Sequence, residues 1–373
     1  MAARILIVSP IPSHPQDQGN SARIYTLARA LQAAGFIVHF LYCQNEGLTD
    51  AQRQAMTDCW DHFHTIPPSW RDTSPTGEGT YLLDDWDEPA VHDLARALHR
   101  KWRFAAVLAN YVWFSGVLDA FGPGVIKVLD THDVFGDRHL RFLQAGLTPE
   151  WFWTTQAEEA RGLARADIVL AIQEEEAAQL RALGHADVRV IGHLIGRRVR
   201  HARAVEVPTI GYLASGNPLN VNSFEVLQDS LAASGGSHRH ARFVLAGAIC
   251  DKLRRPAAPF EAMGRVDHVD LFYDSVDVVV NPMTTGTGLK IKSVEAVFEG
   301  LPLIATETAM TGLPAAHPLH RLAGADEVAR VLLAGGLRLA EREELAQASA
   351  ACATAYAASV RHSLDGLVRS LAG

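Results

Sequence analysis

Several features that define large protein classes are scarce or missing in this sequence. Cysteine is rare: Cys43, Cys59, Cys250 and Cys352 are all there are, and no two form a CxxC pair. That pattern excludes a disulfide framework and a zinc site of the usual spacing. No apolar run approaches the roughly 20 residues that a membrane span requires. The first such run, Ile5–Val8, stops at Ser9-Pro10 and is too short for the core of a secretory leader. Excess positive charge is also missing, since 42 acidic residues outnumber 34 basic ones for a net charge of −8. No global field draws the chain toward nucleic acid. The loop after the first strand, Ser9 to Ala22, has no G-x-G-x-x-G, which argues against a dehydrogenase. No G-x-S-x-G elbow supports a serine hydrolase. The absences together describe a soluble, cytoplasmic protein whose membrane contact, if any, is peripheral at the inner face.

What is present is a repeated strand–helix alternation over 373 residues, a length that suits two domains. Ile5–Ser9 reads as a strand, Ala22–Ala34 as a helix stopped by Gly35, and Phe36–Tyr42 as the next strand. The pattern continues through a predicted helix at Trp151–Arg165 to about residue 191. It restarts at Thr209–Leu213 and runs to a last helix over 340–370. Between the halves lies a basic segment with Arg197, Arg198, Arg200, His201 and Arg203, expected to be a solvated interdomain hinge. The fold class is therefore α/β: two Rossmann-like parallel-sheet domains, 1–200 and 205–340, facing across a cleft.

Open parallel sheets bind ligands beyond the carboxyl ends of their strands, which selects the loops 9–22, 131–138, 214–221 and 282–289. The last is the most informative. It runs Asn281-Pro-Met-Thr-Thr-Gly-Thr-Gly-Leu-Lys-Ile-Lys-Ser-Val-Glu295. A strand ends, Gly286 and Gly288 permit close backbone approach, and a helix predicted over Leu289–Phe298 begins with free N–H groups, which is an anion cradle. Lys290 in its first turn adds a point charge, and Glu295 is expected on the same face as Gly288 and Lys292. Phosphate at the loop and ribose at the carboxylate match a nucleoside diphosphate.

The segment 276–313 resembles the donor-binding region of GT-B, family-4-type retaining glycosyltransferases. Weaker likeness extends to Gly211–Asn222, Ala164–Leu180 and Gly19-Asn20-Ser21. The resemblance implies a nucleotide-sugar donor held by the second domain and a hydroxyl acceptor, glycan or lipid-linked, on the side of the first. It implies a place in cell-surface glycan or polysaccharide synthesis, no metal or other cofactor, and a final helix, 341–373, returning to the first domain. Glu295 matches the second glutamate of the family's E-x7-E motif, which binds ribose. The first falls on Thr287, a departure that bears on the donor sugar. Lys290 resembles a basic residue near the diphosphate, with Gly286, Thr287, Gly288, Leu289 and Lys292 around it. The Arg and Lys pair of many relatives is missing from 214–221, where Asn217 and Asn220 stand instead. His132 matches the active-site histidine that contacts the donor sugar, with Asp133, Asp137 and Arg138 nearby. Gly19 and Asn20 form a backbone cradle, with Asn20 or Ser21 the expected helix cap and Arg23 a candidate phosphate or acceptor contact. Asp130 is expected to be structural, and the Asp85-Trp86-Asp87 triplet a solvated acidic turn. Trp70, Trp86, Trp113, Trp151 and Trp153 offer core packing or an acceptor platform. A GT-B nucleotide-sugar epimerase and a non-catalytic nucleotide-sugar-binding protein are the competing readings.

Overall fold

A computed structural model describes residues 2–16, 18–43, 46–67, 74–144, 146, 148–149, 151–193, 195–198, 200, 203–235, 240–266, 268–286, 288–334 and 337–372. The chain divides into two compact units, 1–194 with 360–373, and 195–359.

The first unit is built on β1 (Arg4–Ser9), β2 (Ile37–Tyr42), β3 (His62–Thr65), β4 (Ala106–Asn110), β5 (Ile126–Asp130), β6 (Ile168–Ala171) and β7 (Val188–Val190). Their order in the sheet is β3-β2-β1-β4-β5-β6-β7, with every neighbouring pair parallel. The second unit holds β8 (Thr209–Leu213), β9 (Arg242–Ala246), β10 (Glu261–Gly264), β11 (Val278–Asn281) and β12 (Leu303–Ala305), ordered β10-β9-β8-β11-β12 and again all parallel. Helices cover both faces, so central strands are continuous apolar runs such as Ile5-Leu6-Ile7-Val8 and Val278-Val279-Val280, all buried. In each sheet the order reverses once, between β1 and β4 and between β8 and β11. The loops after those strands are where an open sheet leaves a crevice.

The first helix, Gly19–Ala33, buries Ile24, Leu27, Ala28 and Leu31 and ends before Gly35, whose φ of 93° is open to glycine without strain. The last helix, Leu339–Ala372, serves both units in turn. Leu345 belongs to the core of the second, while Leu367 and Leu371 are buried in the core of the first.

Local structure departs from or adds to the sequence reading in four places. Strands β3 and β10 had no sequence signal, because His62–Thr65 is half-buried and polar and Glu261–Gly264 is largely exposed. The predicted helix over Trp151–Arg165 is confined to Gln156–Leu163, because Thr155 caps it by accepting from Glu158 N and Thr154 bridges to Gly136. A 3-10 turn fills Val112–Ala120. The basic segment is largely solvent-exposed, as expected, but it is not a free hinge. Arg198 pairs with Asp270, Arg200 with Asp274 and Glu299, and Arg203 with Asp277, so it is tied to the second unit. His201 lies outside the described residues.

At the β2–β3 edge His39 is fully buried, its Nδ1 3.1 Å from His64 Nε2 and its ring stacked 4.1 Å from His62. Burial first, then the neighbouring His62, His64 and Arg4, push His39 down to about 3, and burial with His62 and Lys101 takes His64 to about 4. His132 and His320 are likewise lowered to about 4, chiefly by burial. The unfolded chain therefore binds protons near the ordinary histidine value of 6.5 that the folded chain refuses. Stability present above pH 6.5 is expected to fall as pH drops from there toward 4. His39→Phe should flatten that slope. Thermal unfolding against pH for both proteins reads it, and an unchanged slope in the variant would rule this source out.

Candidate active site

In the first unit the site is assembled around a buried ion pair. Arg23 is 2% exposed and Asp130 fully buried. Arg23 Nε donates to Asp130 Oδ2 at 2.9 Å, Nη2 to Oδ1 at 2.6 Å, and Nη1 to the Ile191 carbonyl at 2.7 Å. Arg23 is thus not a free contact for phosphate or acceptor. Its guanidinium is consumed at the end of β5, in the bidentate geometry that makes such a pair worth its desolvation. Asp130 has the structural role expected of it.

Two residues on, His132 adopts φ 62°, a left-handed value that is uncommon for a non-glycine residue. Its ring stacks on Tyr111 with centroids 4.1 Å apart, and its Nε2 lies 2.9 Å from Asn110 Oδ1 and 3.5 Å from Asp130 Oδ2. Asn110 Nδ2 donates to the Val8 carbonyl at 3.0 Å, which turns Oδ1 toward the histidine. Nε2 therefore carries the proton and Nδ1 the lone pair. Burial lowers the imidazole to about 4, with Asp130 opposing and Arg23 assisting, so the ring is neutral at pH 7. Asp133 pairs with Arg138 at 3.3 Å, and Asp137 accepts from Gln156 at 2.8 Å. Neither orients the ring. Asn110 and Tyr111 do, and sequence reading missed both. The strand end at Asn110, three places before Trp113, was the available signal.

Gly19 and Asn20 open the first helix, but the cap is neither Asn20 nor Ser21. Gln18 is the N-cap, joined to Ser21 in a capping box. Asn20 accepts from Ser21 N at 2.8 Å, and its side chain also bonds the Tyr111 hydroxyl. The Gly19 loop and the histidine loop thus meet through Tyr111. Gln18, Asn20 and Ser21 also line a small polar recess with Ile11, Glu46 and Gln52. In the Asp85-Trp86-Asp87 triplet Asp85 accepts from Thr76 and Leu82 and Asp87 pairs with His92, which makes it a structural turn. Trp113 is buried and Trp153 bonds the Gly79 carbonyl, whereas Trp151 is 38% exposed beside Tyr111 and Trp113. Trp70 lies outside the described residues.

In the second unit the helix begins at Ile291, two residues later than expected, with Lys290 as its N-cap. Lys290 is 7% exposed, and its ammonium donates to the carbonyls of Gly288 at 2.6 Å and Gly286 at 3.2 Å. Its charge closes the turn from inside rather than projecting from a helical face. Gly288 precedes the helix and shares no face with Glu295. Gly286 has φ 114°, and a Cβ there would come within 3.3 Å of Leu219, so only glycine lets the turn lie against the helix Pro218–Ala233. Leu289 is buried beneath the turn, and Thr287 lies outside the described residues.

Glu295 is held at both oxygens. Tyr273 donates its hydroxyl to Oε2 at 2.8 Å, and Lys292 reaches Oε1 and Oε2 at 3.1 and 2.8 Å. Burial and the glutamate charge push the Tyr273 hydroxyl well up, so it remains a donor. Asn281 donates to Ser293, and Ser293 to the Ala309 carbonyl, which ties β11 to this helix. Asn217 caps the helix Pro218–Ala233 by accepting from Leu219 N at 2.8 Å, while Asn220 donates to Ser215. Both amides that stand where many relatives carry cations are thus engaged in their own loop. A lysine from outside that loop, Lys252, lies beside it. It is exposed, and its stem passes so near Gly216 that a Cβ would meet Lys252 Cγ at 2.8 Å. Among the described residues no group of His, Cys, Asp or Glu could hold a metal ion, and no helix is long and apolar enough to cross a membrane.

Comparison with known proteins follows the same division. A family model described as "Glycosyl transferase 4-like domain" matches residues 18–193, and one described as "Glycosyl transferases group 1" matches 207–318. Sucrose-phosphate synthase from Thermosynechococcus elongatus superposes with a TM-score of 0.68 at 18% identity, covering 99% of each chain. HepE from Anabaena, solved with UDP and glucose, gives 0.65 at 12% identity over 98% of this chain and 99% of that one. A TarM variant from S. aureus, in complex with fondaparinux, alpha-GlcNAc-glycerol and UDP, gives 0.63 at 9% over 99% and 98%. At these identities the likeness shows the fold. No curated protein matches the chain by sequence.

Two outcomes test this geometry. Arg23→Met strands a buried carboxylate and should cost about 3–5 kcal/mol, whereas Arg23→Met with Asp130→Leu should recover much of the loss. Urea denaturation compares them, and a double variant no more stable than the single one contradicts the ion-pair account. Lys290→Met should destabilise by about 1.5–3 kcal/mol, the worth of hydrogen bonds from a charged donor. It should also weaken nucleotide binding, and isothermal calorimetry showing unchanged affinity would separate the turn from the ligand.

Proposed function

We propose that this chain, which belongs to the group 1 glycosyltransferases and has their GT-B fold, transfers a sugar from a nucleoside-diphosphate sugar to a hydroxyl acceptor with retention of configuration. The observation that carries the donor reading is the turn 283–290 opening onto the helix that presents Glu295 between Tyr273 and Lys292. The turn ends at a helix start whose first N–H groups, those of Ile291 and Lys292, suit a departing diphosphate. Glu295, already fixed in orientation, accepts from the ribose hydroxyls. The complexes of HepE with UDP and with UDP-glucose support a nucleotide sugar as donor.

The first unit contributes His132. A neutral ring with its Nε2–H committed to Asn110 offers the Nδ1 lone pair to a sugar hydroxyl and adds no net charge. Positioning and stabilisation of the leaving group then carry the reaction. No metal or other cofactor enters this reading, and the fixed positive N-terminus of the donor helix does the corresponding work. Synthesis of a cell-surface glycan or polysaccharide from cytoplasmic donors is the setting that fits. Family membership favours transfer over the epimerase and non-catalytic readings.

The test is thermal unfolding with UDP, GDP, ADP and dTDP. A nucleotide present at about 100 times its dissociation constant adds roughly 2.7 kcal/mol, a shift of a few degrees for a chain of this size. One base should stand out, and Glu295→Ala should weaken it by roughly ten- to a hundred-fold. Absence of a shift with all four would remove the donor-site assignment.

A further inference from the structure

The histidine loop is held from behind by a carboxylate that sequence reading passed over. Glu159, in the helix Gln156–Leu163, is fully buried, and among the described residues no salt bridge reaches it. Its two oxygens accept from the backbone N–H groups of Phe135 and Gly136, each at 2.8 Å. The fit is close, since a Cβ on Gly136 would stand 2.7 Å from Glu159 Oε2. Burial and the charge of Asp133 push the carboxyl up to about 7, opposed by those two N–H donors and by Arg141. A buried carboxylate kept at such a disadvantage calls for a reason beyond filling space.

The reason lies in the segment it grips. His132 and Asp137 both have left-handed φ, at 62° and 57°, within six residues of one another. Strained positions persist only where their surroundings over-determine them. Asp137 N donates to the Thr154 carbonyl and Thr154 N to that of Phe135, which fixes the far side of the loop. Glu159 fixes its centre.

We propose that Glu159 is a positioning residue for sugar transfer, holding the backbone at 135–136 so that His132 keeps its Nε2–H on Asn110 and its ring flat on Tyr111. The proposal rests on the role given to His132 above. A glutamate is required because one side chain must accept from two donors. Glutamine would turn an NH2 toward one of them, conserving volume while replacing a hydrogen bond with a donor–donor clash.

The experiment uses the full chain labelled with 15N-histidine, the His132 signals being identified by their loss in His132→Gln. In the wild-type protein His132 should be the neutral Nε2–H tautomer and stay neutral down to about pH 4. In Glu159→Gln it should lose that single tautomer and titrate about one pH unit or more higher, as its surroundings open. Gly136→Ala, which displaces the carboxylate from the opposite side, should do the same. With whichever sugar nucleotide of UDP, GDP, ADP or dTDP the wild-type enzyme turns over, Glu159→Gln should lower kcat about tenfold or more with donor KM unchanged, as misplacement of a reacting group predicts. An unaltered His132 tautomer and titration in both variants overturns the proposal. A changed His132 with intact turnover leaves the positioning in place and instead removes His132 from the chemistry.

Discussion

The ion pair of Arg23 and Asp130 anchors the start of the histidine loop in the first unit. It joins the first helix, the end of β5 and the chain after β7 through three nitrogens of one guanidinium. A lysine could place a charge there but not the planar fork. Because Asp130 is spent on Arg23, its charge does not capture the imidazole two residues later. His132 stays neutral, lowered by burial against a carboxylate 3.5 Å away. Charge compensation at one position thus sets the protonation state at another.

The second unit solves a different problem with different means. Its candidate donor site is mostly backbone: a turn of two left-handed glycines, closed by the Lys290 ammonium on its own carbonyls and seated on Leu219. Its carboxylate, Glu295, is fixed by a tyrosine and a lysine. Pre-organised backbone dipoles suit a diphosphate, whose charge is large and diffuse, and a fixed carboxylate suits vicinal hydroxyls. The first unit, by contrast, offers one neutral ring whose tautomer is set by an asparagine.

The departures from expectation share a cause. Lys290, Arg23 and Asn217 were each read as a free polar group awaiting a ligand, and each satisfies its own neighbourhood instead. Sequence spacing places a polar side chain near a loop but is blind to the partners that folding brings from elsewhere. The partner of Arg23 lies 107 residues away, and the Glu159 clamp spans 23 and 24 residues. Backbone carbonyls, which close the Lys290 turn, have no signature in sequence at all.

What the sequence by itself determined is the alternation of strand and helix, the two-sheet α/β class, the family and the Gly286–Glu295 segment. Those follow from local periodicity and from glycine at points of close approach, and local rules suffice for them. Tertiary structure decided which polar groups remain to act. It gave Lys290 to its own turn and Arg23 to Asp130, set His132 on Tyr111 and Asn110, and placed Glu159 behind the loop. Burying a charge or a polar atom requires a partner, and the partner is chosen by the fold.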